Sequence, residues 1–465
     1  MWFVIGLFVK LLPHMIKQVN NLMQRKRTDW RWLVGSFVFL VSSTAWAQTS
    51  GIVEQALDRC GVGEHERILQ QRNPNRLRQL NELNQRVQQL QTETSSLRQA
   101  ADGTTYRIPV VVHVVHSNAT NTVGGAGNVN ISDAQIISQI QVLNEDYRRK
   151  PGTNGYNTSA IGADANIEFY LATTDPDGQP STGITRHYYP QKTSFDVFND
   201  DVLLSQIAYW PSDRYLNIWV TRVSTYLGYT QFPTMADTLK GLPLAADSNE
   251  FTDGSIIDYR YFGKQTGTVT SATYALGRTA THEIGHWLGL FHPNGDVDCG
   301  DDHVTDTPPT DDLNQTTRCN DLFSNCSGQR TRELIENYLM YSPDACMNMF
   351  TVGQVARMRA VLQVSPRRAK MIKLASAALG ETETLTINVY PNPTTYAASI
   401  DVQLKGSQSF SVDLFDATGR QLRSSSFTNS PSTSVPVSVT GLTAGIYIVR
   451  VKTAGEVVSK RLLVQ

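Results

Sequence analysis

The residues best placed to do chemistry in this chain are His282-Glu283-Ile284-Gly285-His286-Trp287-Leu288-Gly289-Leu290-Phe291-His292, which spell H-E-x-x-H-x-x-G-x-x-H. On a helix, residues four apart share a face, so the imidazoles of His282 and His286 can reach one metal ion. Glu283 projects about 100° further round, beside the metal rather than on it. Gly289 lets the chain leave the helix through a left-handed turn that residues with a β-carbon resist, and that turn returns His292 as a third ligand. Three neutral ligands leave a fourth position for water, the arrangement of a catalytic zinc rather than a structural one. Zinc lowers the pKa of its water towards neutrality and polarises a carbonyl, and Glu283 is positioned to take the proton. The chemistry expected is hydrolysis of a peptide bond. A helix with satisfied core histidines is the plainer alternative, and the full spacing makes it improbable by chance.

Other reactive residues cluster around this motif. Cys299, Cys319, Cys326 and Cys346 follow it within a short span, while Cys60 stands alone near the amino terminus. In an exported protein the four would oxidise to two disulfides, for which sequence permits three pairings; a four-cysteine zinc site is the alternative, without the tight C-x-x-C pairs it prefers. Cys60, in Arg59-Cys60-Gly61, offers a thiolate that could fill the open zinc position, an unpaired or intermolecular thiol being the alternative. Between Gly300 and Pro309, Asp302 and Asp306 with oxygens from Val304 and Thr307 suit a calcium ion, a plain acidic turn being the alternative.

The extended motif resembles that of the metzincin clan of zinc endopeptidases. Downstream, Glu336-Asn337-Tyr338-Leu339-Met340-Tyr341-Ser342-Pro343-Asp344-Ala345-Cys346 resembles the clan's methionine turn, and with Asp306-Thr307-Pro308-Pro309 it resembles the pappalysin family over roughly residues 105–365. One departure stands out: Leu339 falls where the family methionine belongs, and Met340 is off by one. A leucine of similar volume can still floor the metal site. The resemblance implies that Tyr341 assists the oxyanion of the tetrahedral intermediate, and that Asp344 floors the pocket for the side chain after the scissile bond, favouring cleavage before Arg or Lys. A buried tyrosine and an Asx turn are the ordinary readings of those two residues. It also implies the pairings Cys299–Cys326 and Cys319–Cys346, calcium in the acidic loop, and a cysteine-switch role for Cys60.

These groups need a scaffold. From Tyr106 the pattern is α/β: a buried strand over Ile108–His116, a helix from an N-cap at Ser132 to about Arg149, and strands near 166–172, 215–220 and 255–259. The stretch from Thr273 to Leu290 carries the active-site helix. His113 and His116 sit in an apolar strand and read as structural. Leu80, Leu83, Val87, Leu90, Thr94 and Leu97 follow 3,4 spacing, predicting an amphipathic helix over 75–100 that either packs on the protease or pairs as a short coiled coil. After Tyr390-Pro391-Asn392-Pro393, short alternating strands such as Phe410–Phe415 and Ile446–Val451 predict a small β-sandwich. Down to the final Lys460-Arg461-Leu462-Leu463-Val464-Gln465 it resembles the sorting domain of the type IX secretion system. A carbohydrate-binding sandwich is the alternative, and few aromatics stand ready to stack on sugars.

Lys plus Arg number 41 against 42 for Asp plus Glu, so no global field recruits nucleic acid. Gln24-Arg25-Lys26-Arg27, the apolar run from Trp32 to Val41 and Ala45-Trp46-Ala47 read as an export signal. The expected organisation is a signal peptide over 1–47, with 1–22 read as an upstream extension from a mis-called start. A prosegment with a cysteine switch follows over 48–104, then a metzincin-like protease domain over 105–368, a linker over 369–384 and the sandwich over 385–465. The function expected is that of a latent, secreted zinc endopeptidase, cell-surface attached or released through a Sec-type signal and type IX export. Its partners would be protein or peptide substrates and the secretion machinery, without a stable membrane span after signal removal. The rivals are a non-catalytic surface adhesin on a protease scaffold and a zinc hydrolase of non-peptide amides.

Overall fold

The computed structural model describes residues 57–96, 104–235, 250–378 and 385–465, apart from 314, 327, 405 and 454–456; of 93–96 only the backbone is described. The expected export signal, the upstream extension, Leu97, a boundary expected near Asp102-Gly103, and Arg98, which with Arg107 offers a basic residue for self-processing, lie outside the described residues, Arg107 excepted.

The described chain opens with a short strand β1 (Asp58–Cys60) and two helices, α1 (Val62–Arg72) and α2 (Pro74–Ser96). Of the two placements open to the 75–100 helix, α2 takes the protease. Its Leu83 and Val87 are buried against Ala360 and Val361. The long strand β2 (Tyr106–His116) is apolar throughout because both of its faces are covered. Ile108, Val110, Val112 and Val114 join the main core, while Val111 and Val115 turn to smaller clusters on the other face. α3 (Asp133–Tyr147) starts at Ser132, whose Oγ accepts from the Gln135 N–H at 3.2 Å, the cap expected from sequence.

β3 (Ile167–Leu171), β4 (Ile184–Tyr188), α4 (Asp201–Ile207), β5 (Leu216–Thr221), β6 (Tyr226–Thr230) and β7 (Gly254–Asp258) complete the scaffold ahead of the zinc motif. The strands form one sheet in the order β1-β6-β7-β5-β2-β3, with β4 also on β2. β6 runs antiparallel to β7, and β1 lies parallel to β6 along the edge. β4, β6 and α4 were not among the elements expected. His113 is structural, its Nδ1 paired with Thr185 Oγ1 and its Nε2 with Asn217 Oδ1, and His116 Nδ1 accepts from the Asn118 N–H.

α5 (Arg278–Trp287) carries the zinc motif and is buried along its whole length. It begins after Gly277, which has a positive φ of 80° and no capping side chain. Asp344 supplies the cap from a distance: its Oδ2 accepts from the N–H groups of Leu276 and Arg278 at 2.9 and 3.2 Å. On the far side, Asp146 of α3 holds α5 through Arg278 Nη2 at 2.9 Å and Thr281 Oγ1 at 2.7 Å, so two buried charges satisfy each other.

After the short hairpin β8 (Phe323–Ser324) and β9 (Thr331–Arg332) come α6 (Val352–Val364) and α7 (Pro366–Ala378). α7 corrects the expected linker over 369–384: the chain stays helical to 378, and Met371 and Ile372 pack into the protease core. Their apolar side chains have a surface to cover, whereas a linker would leave them in water.

The carboxy-terminal strands form two sheets, β10 (Leu385–Tyr390), β11 (Ala397–Leu404) and β14 (Thr433–Ser438) in one, and β12 (Gln408–Phe415), β13 (Gln421–Ser430), β15 (Gly445–Thr453) and β16 (Val457–Val464) in the other. Alternate residues such as Ile400, Val402, Val412, Leu414, Val449 and Val451 meet in a shared core, the two-layer pattern expected. Among the described residues no helix is long and apolar enough to cross a membrane.

Candidate active site

The three motif histidines converge. Their Nε2 atoms lie 3.1–3.2 Å apart, and all three rings are buried. Each Nδ1 faces an oxygen: His282 donates to the Tyr338 carbonyl at 2.7 Å, His286 to the Leu290 carbonyl at 2.7 Å, and His292 meets the Asp296 carboxylate. A backbone carbonyl only accepts, so the proton of His282 and of His286 sits on Nδ1 and their Nε2 atoms present bare lone pairs. Burial pushes His282 well below the ordinary imidazole range and His286 to about 3, so neither carries a charge. Lone pairs facing one another repel unless a cation stands between them. Nitrogens about 2.0–2.1 Å from a tetrahedral zinc are roughly 3.3 Å apart, close to the triangle seen here. The residues present fit that ion.

Local chain geometry explains the convergence. Gly289 has φ of 84°, and a β-carbon there would lie 2.8 Å from Val361 Cγ2. Leu339 occupies the floor: a β-carbon on Gly285, between the first two ligands, would stand 3.1 Å from Leu339 Cδ2. The leucine thus fills, beneath the helix, the volume expected of a methionine, and its neighbour Met340 is buried as well.

Glu283 is fully buried, and its Oε1 has no hydrogen-bond partner among the described residues. Burial raises its carboxyl to about 8, against the opposing pull of Cys60 and Arg59. Gly228 of β6 faces it so closely that a β-carbon would lie 2.7 Å from Glu283 Cγ. Cys60 completes the cluster. Its Sγ is 3.6 Å from Glu283 Oε2, and its ligand atom and those of the three histidines all lie within 4.8 Å of one another. Burial and then the Glu283 charge raise the Cys60 thiol well above its ordinary range.

Tyr341 stacks edge-on against His292 at 5.2 Å between centroids, and its hydroxyl donates to the Cys60 carbonyl at 3.5 Å. Asp344 is buried at the start of α5, its other oxygen, Oδ1, accepting from Arg59 Nη1 at 3.3 Å. Both lie on a segment fixed by disulfides, Cys319–Cys346 and Cys299–Cys326, the pairing that the family resemblance implies. The acidic loop divides: Thr307 Oγ1 donates to Asp302 Oδ2 at 2.7 Å and lies 2.9 Å from the Val304 carbonyl. Asp306 turns away to the start of α6, accepting from Thr351 Oγ1 and the Gly353 N–H. Sequence reasoning missed Asp296, Gly228 and Arg59. Asp296 was the most accessible, four residues after the last histidine, a spacing that places a carboxylate behind an imidazole.

Convergent bare imidazoles beside a buried carboxylate, under a mixed sheet, define a zinc metalloendopeptidase of the metzincin kind. Comparison with known proteins narrows the class. Residues 198–363 match the family described as pregnancy-associated plasma protein-A, and residues 388–465 match the secretion system C-terminal sorting domain. An extracellular metalloprotease of Verticillium alfalfae is 32% identical over 54% of this chain and 75% of its own. A solved Tannerella forsythia promirolysin mutant is 35% identical over 69% of this chain and 98% of its own, with a TM-score of 0.55. Mature Tannerella forsythia mirolysin in complex with a cleaved peptide is 39% identical over 59% of this chain and 98% of its own, with a TM-score of 0.50. The chain belongs to the pregnancy-associated plasma protein-A family of peptidases. Its sorting domain directs it through type IX secretion to the cell surface or beyond.

Proposed function

We propose that the chain is a zymogen whose residues 48–104 hold a zinc endopeptidase silent, and that the released enzyme cleaves on the amino side of arginine or lysine. The single observation that carries this reading is the Cys60 sulfur at the open face of the histidine triangle, beside Glu283. Further support is that the promirolysin match spans more of this chain than the mature mirolysin match does.

His282, His286 and His292 hold zinc, which when bound polarises the scissile carbonyl and acidifies water. Glu283 accepts the proton of the attacking water and passes it to the leaving amine. The Tyr341 hydroxyl, freed from the Cys60 carbonyl, donates to the oxyanion. Asp296 orients His292. Asp344 receives the basic side chain after the cut, and Cys60 blocks the site until the prosegment leaves. Calcium held by Asp302 with oxygens from Val304 and Thr307 would brace the wall after His292, while Asp306, expected from sequence to join them, is committed to the start of α6.

The test compares the matured chain with its Glu283→Gln variant on casein. The variant is expected to keep one zinc per chain and to lose at least about 10³-fold in turnover. Equal turnover by both would overturn the assignment of Glu283.

A further inference from the structure

Arg357 of α6 is buried and takes no part in the chemistry described above, yet two of its contacts reach the turn behind the metal site. Its Nε donates to the Gly289 carbonyl at 2.7 Å, and its guanidinium carbon stands 5.2 Å from the centre of the Phe291 ring. A third contact runs the other way, Nη2 donating to Asn84 Oδ1 of α2 at 2.5 Å. Burial lowers Arg357 only to about 10, so it is charged at neutral pH and its bond to the buried carbonyl is charge-assisted.

The peptide unit between Gly289 and Leu290 is what these contacts bear on. Its N–H, on Leu290, closes the helix end by donating to the Gly285 carbonyl at 3.0 Å, beside the Gly289 N–H on the His286 carbonyl at 2.8 Å. Its C=O, past the end of the helix, goes to Arg357 Nε. The next carbonyl, of Leu290, accepts from His286 Nδ1 at 2.7 Å, and His292 follows two residues later. One peptide plane therefore governs two ligands. Gly289 permits this plane but does not impose it, because a glycine enters left-handed and extended regions about equally well. The face of α6 imposes it: Arg357 holds the carbonyl, and four residues on Val361 closes the space over Gly289, its Cγ2 2.8 Å from where a β-carbon would lie.

We infer that Arg357 is a positioning residue for His286 and His292, acting through the Gly289–Leu290 peptide, and that α2 braces it through Asn84. The Asn84 amide nitrogen also pairs with His303 Nε2 at 3.2 Å, and the His303 ring meets Phe291 edge-on at 5.4 Å, so one side chain of α2 steadies both groups that flank Phe291. Lysine cannot replace the arginine, because a single ammonium does not offer the rigid fork that serves a carbonyl on one side and an amide on the other. The role of Arg357 stands apart from the zymogen reading; only the brace rests on it, as a support that the metal site loses when residues 48–104 leave.

The experiment uses the full exported chain carrying Glu283→Gln and Cys60→Ala, so that it stays unprocessed and no sulfur competes for the ion. Zinc loss to EDTA is timed, and Tm is recorded alongside. Arg357→Lys is expected to hasten zinc loss about tenfold and Arg357→Met towards 100-fold. Val355→Ala, which thins the core beneath the same helix, should lower Tm and leave zinc loss unchanged. Where Arg357→Met fails to fold, Arg357→Lys carries the comparison. Zinc loss from Arg357→Lys no faster than from Val355→Ala would overturn the positioning role and leave Arg357 a core residue. Asn84→Ala should hasten zinc loss severalfold, and an unaltered rate would overturn the brace while the role of Arg357 stands. Failure of the zymogen reading shows separately, as a wild-type chain fully active with residues 48–104 still attached.

Discussion

The Cys60 sulfur stands 3.6 Å from the Glu283 Oε2, so the proposed latch and the proposed base occupy one space and cannot both serve. Removing the sulfur leaves the strand held by Arg59, by the Tyr341 hydroxyl on the Cys60 carbonyl and by its pairing with β6. Cys60→Ala is expected to shorten the lag before self-activation at least tenfold, read as peptide turnover against time. An unchanged lag would show that the sulfur contributes nothing to latency.

Gly228 is the residue whose side chain the site excludes. A β-carbon there would lie 2.7 Å from Glu283 Cγ and 2.9 Å from Oε1, and the buried carboxylate has little room to yield. Gly228→Ala should lower kcat of the matured enzyme by about 10²-fold, the cost of misplacing a catalytic group by about 1 Å. Zinc content should stay at one per chain, separating displacement of the base from loss of the metal.

Docking of α1 should depend on pH through His65. Its ring packs against Phe198 and Tyr229 at 4.9 and 4.6 Å, and its Nδ1 has no partner among the described residues. Burial first, then the charges of Arg76 and Arg72, lowers it from 6.5 to about 3; Glu66 on its own helix is paired with Arg76. A histidine depressed when docked takes up a proton on release, so its contribution to docking is complete above about 6.5 and is lost as pH falls towards 3. At pH 5 the loss is roughly 2 kcal/mol, about 30-fold in the release equilibrium. Self-activation, normalised to the activity of matured enzyme at each pH, should therefore quicken from pH 7.5 to pH 5, and His65→Phe should flatten the profile.

The parts of the site legible in the sequence were those fixed by local spacing. His282, Glu283, His286, Gly289 and His292 sit on one helix and one turn, where periodicity and a left-handed glycine decide geometry within eleven residues. Tyr341, Asp344 and the disulfide partners followed from family resemblance, since their distance from the motif is set by loops that carry no periodic signal. Arg59 meets Asp344 across 285 positions of sequence, and an arginine beside a cysteine gives no local sign of such burial. β6 escaped because Tyr226-Leu227-Gly228-Tyr229-Thr230 carries a glycine at its centre, a feature that weakens a strand pattern; the glycine is there for Glu283. The expected linker start at 369 failed because the chain stays helical to Ala378, Pro366 sitting at the first position of α7, where a missing N–H costs nothing.

The two aspartates of the acidic loop should respond differently to calcium. Asp302 shares a hydrogen-bonded turn with Thr307, while Asp306 caps α6 through Thr351 and Gly353. Calcium at about 100-fold over its dissociation constant should add roughly 2.7 kcal/mol of stability, visible as a rise in Tm, and Asp302→Asn should abolish that rise. Asp306→Asn should lower Tm even without calcium, by the 0.5–2 kcal/mol or so that a cap supplies. A Tm indifferent to calcium would remove the ion from this account.

The most direct test of the central claim is to sequence, by mass spectrometry, the new peptide termini that the exported chain and its Glu283→Ala variant generate from an unfolded protein mixture. The account predicts termini that begin with arginine or lysine and appear only with the wild-type chain. Termini without that bias would contradict the role of Asp344. Their absence after prosegment removal would contradict the endopeptidase reading of the site itself.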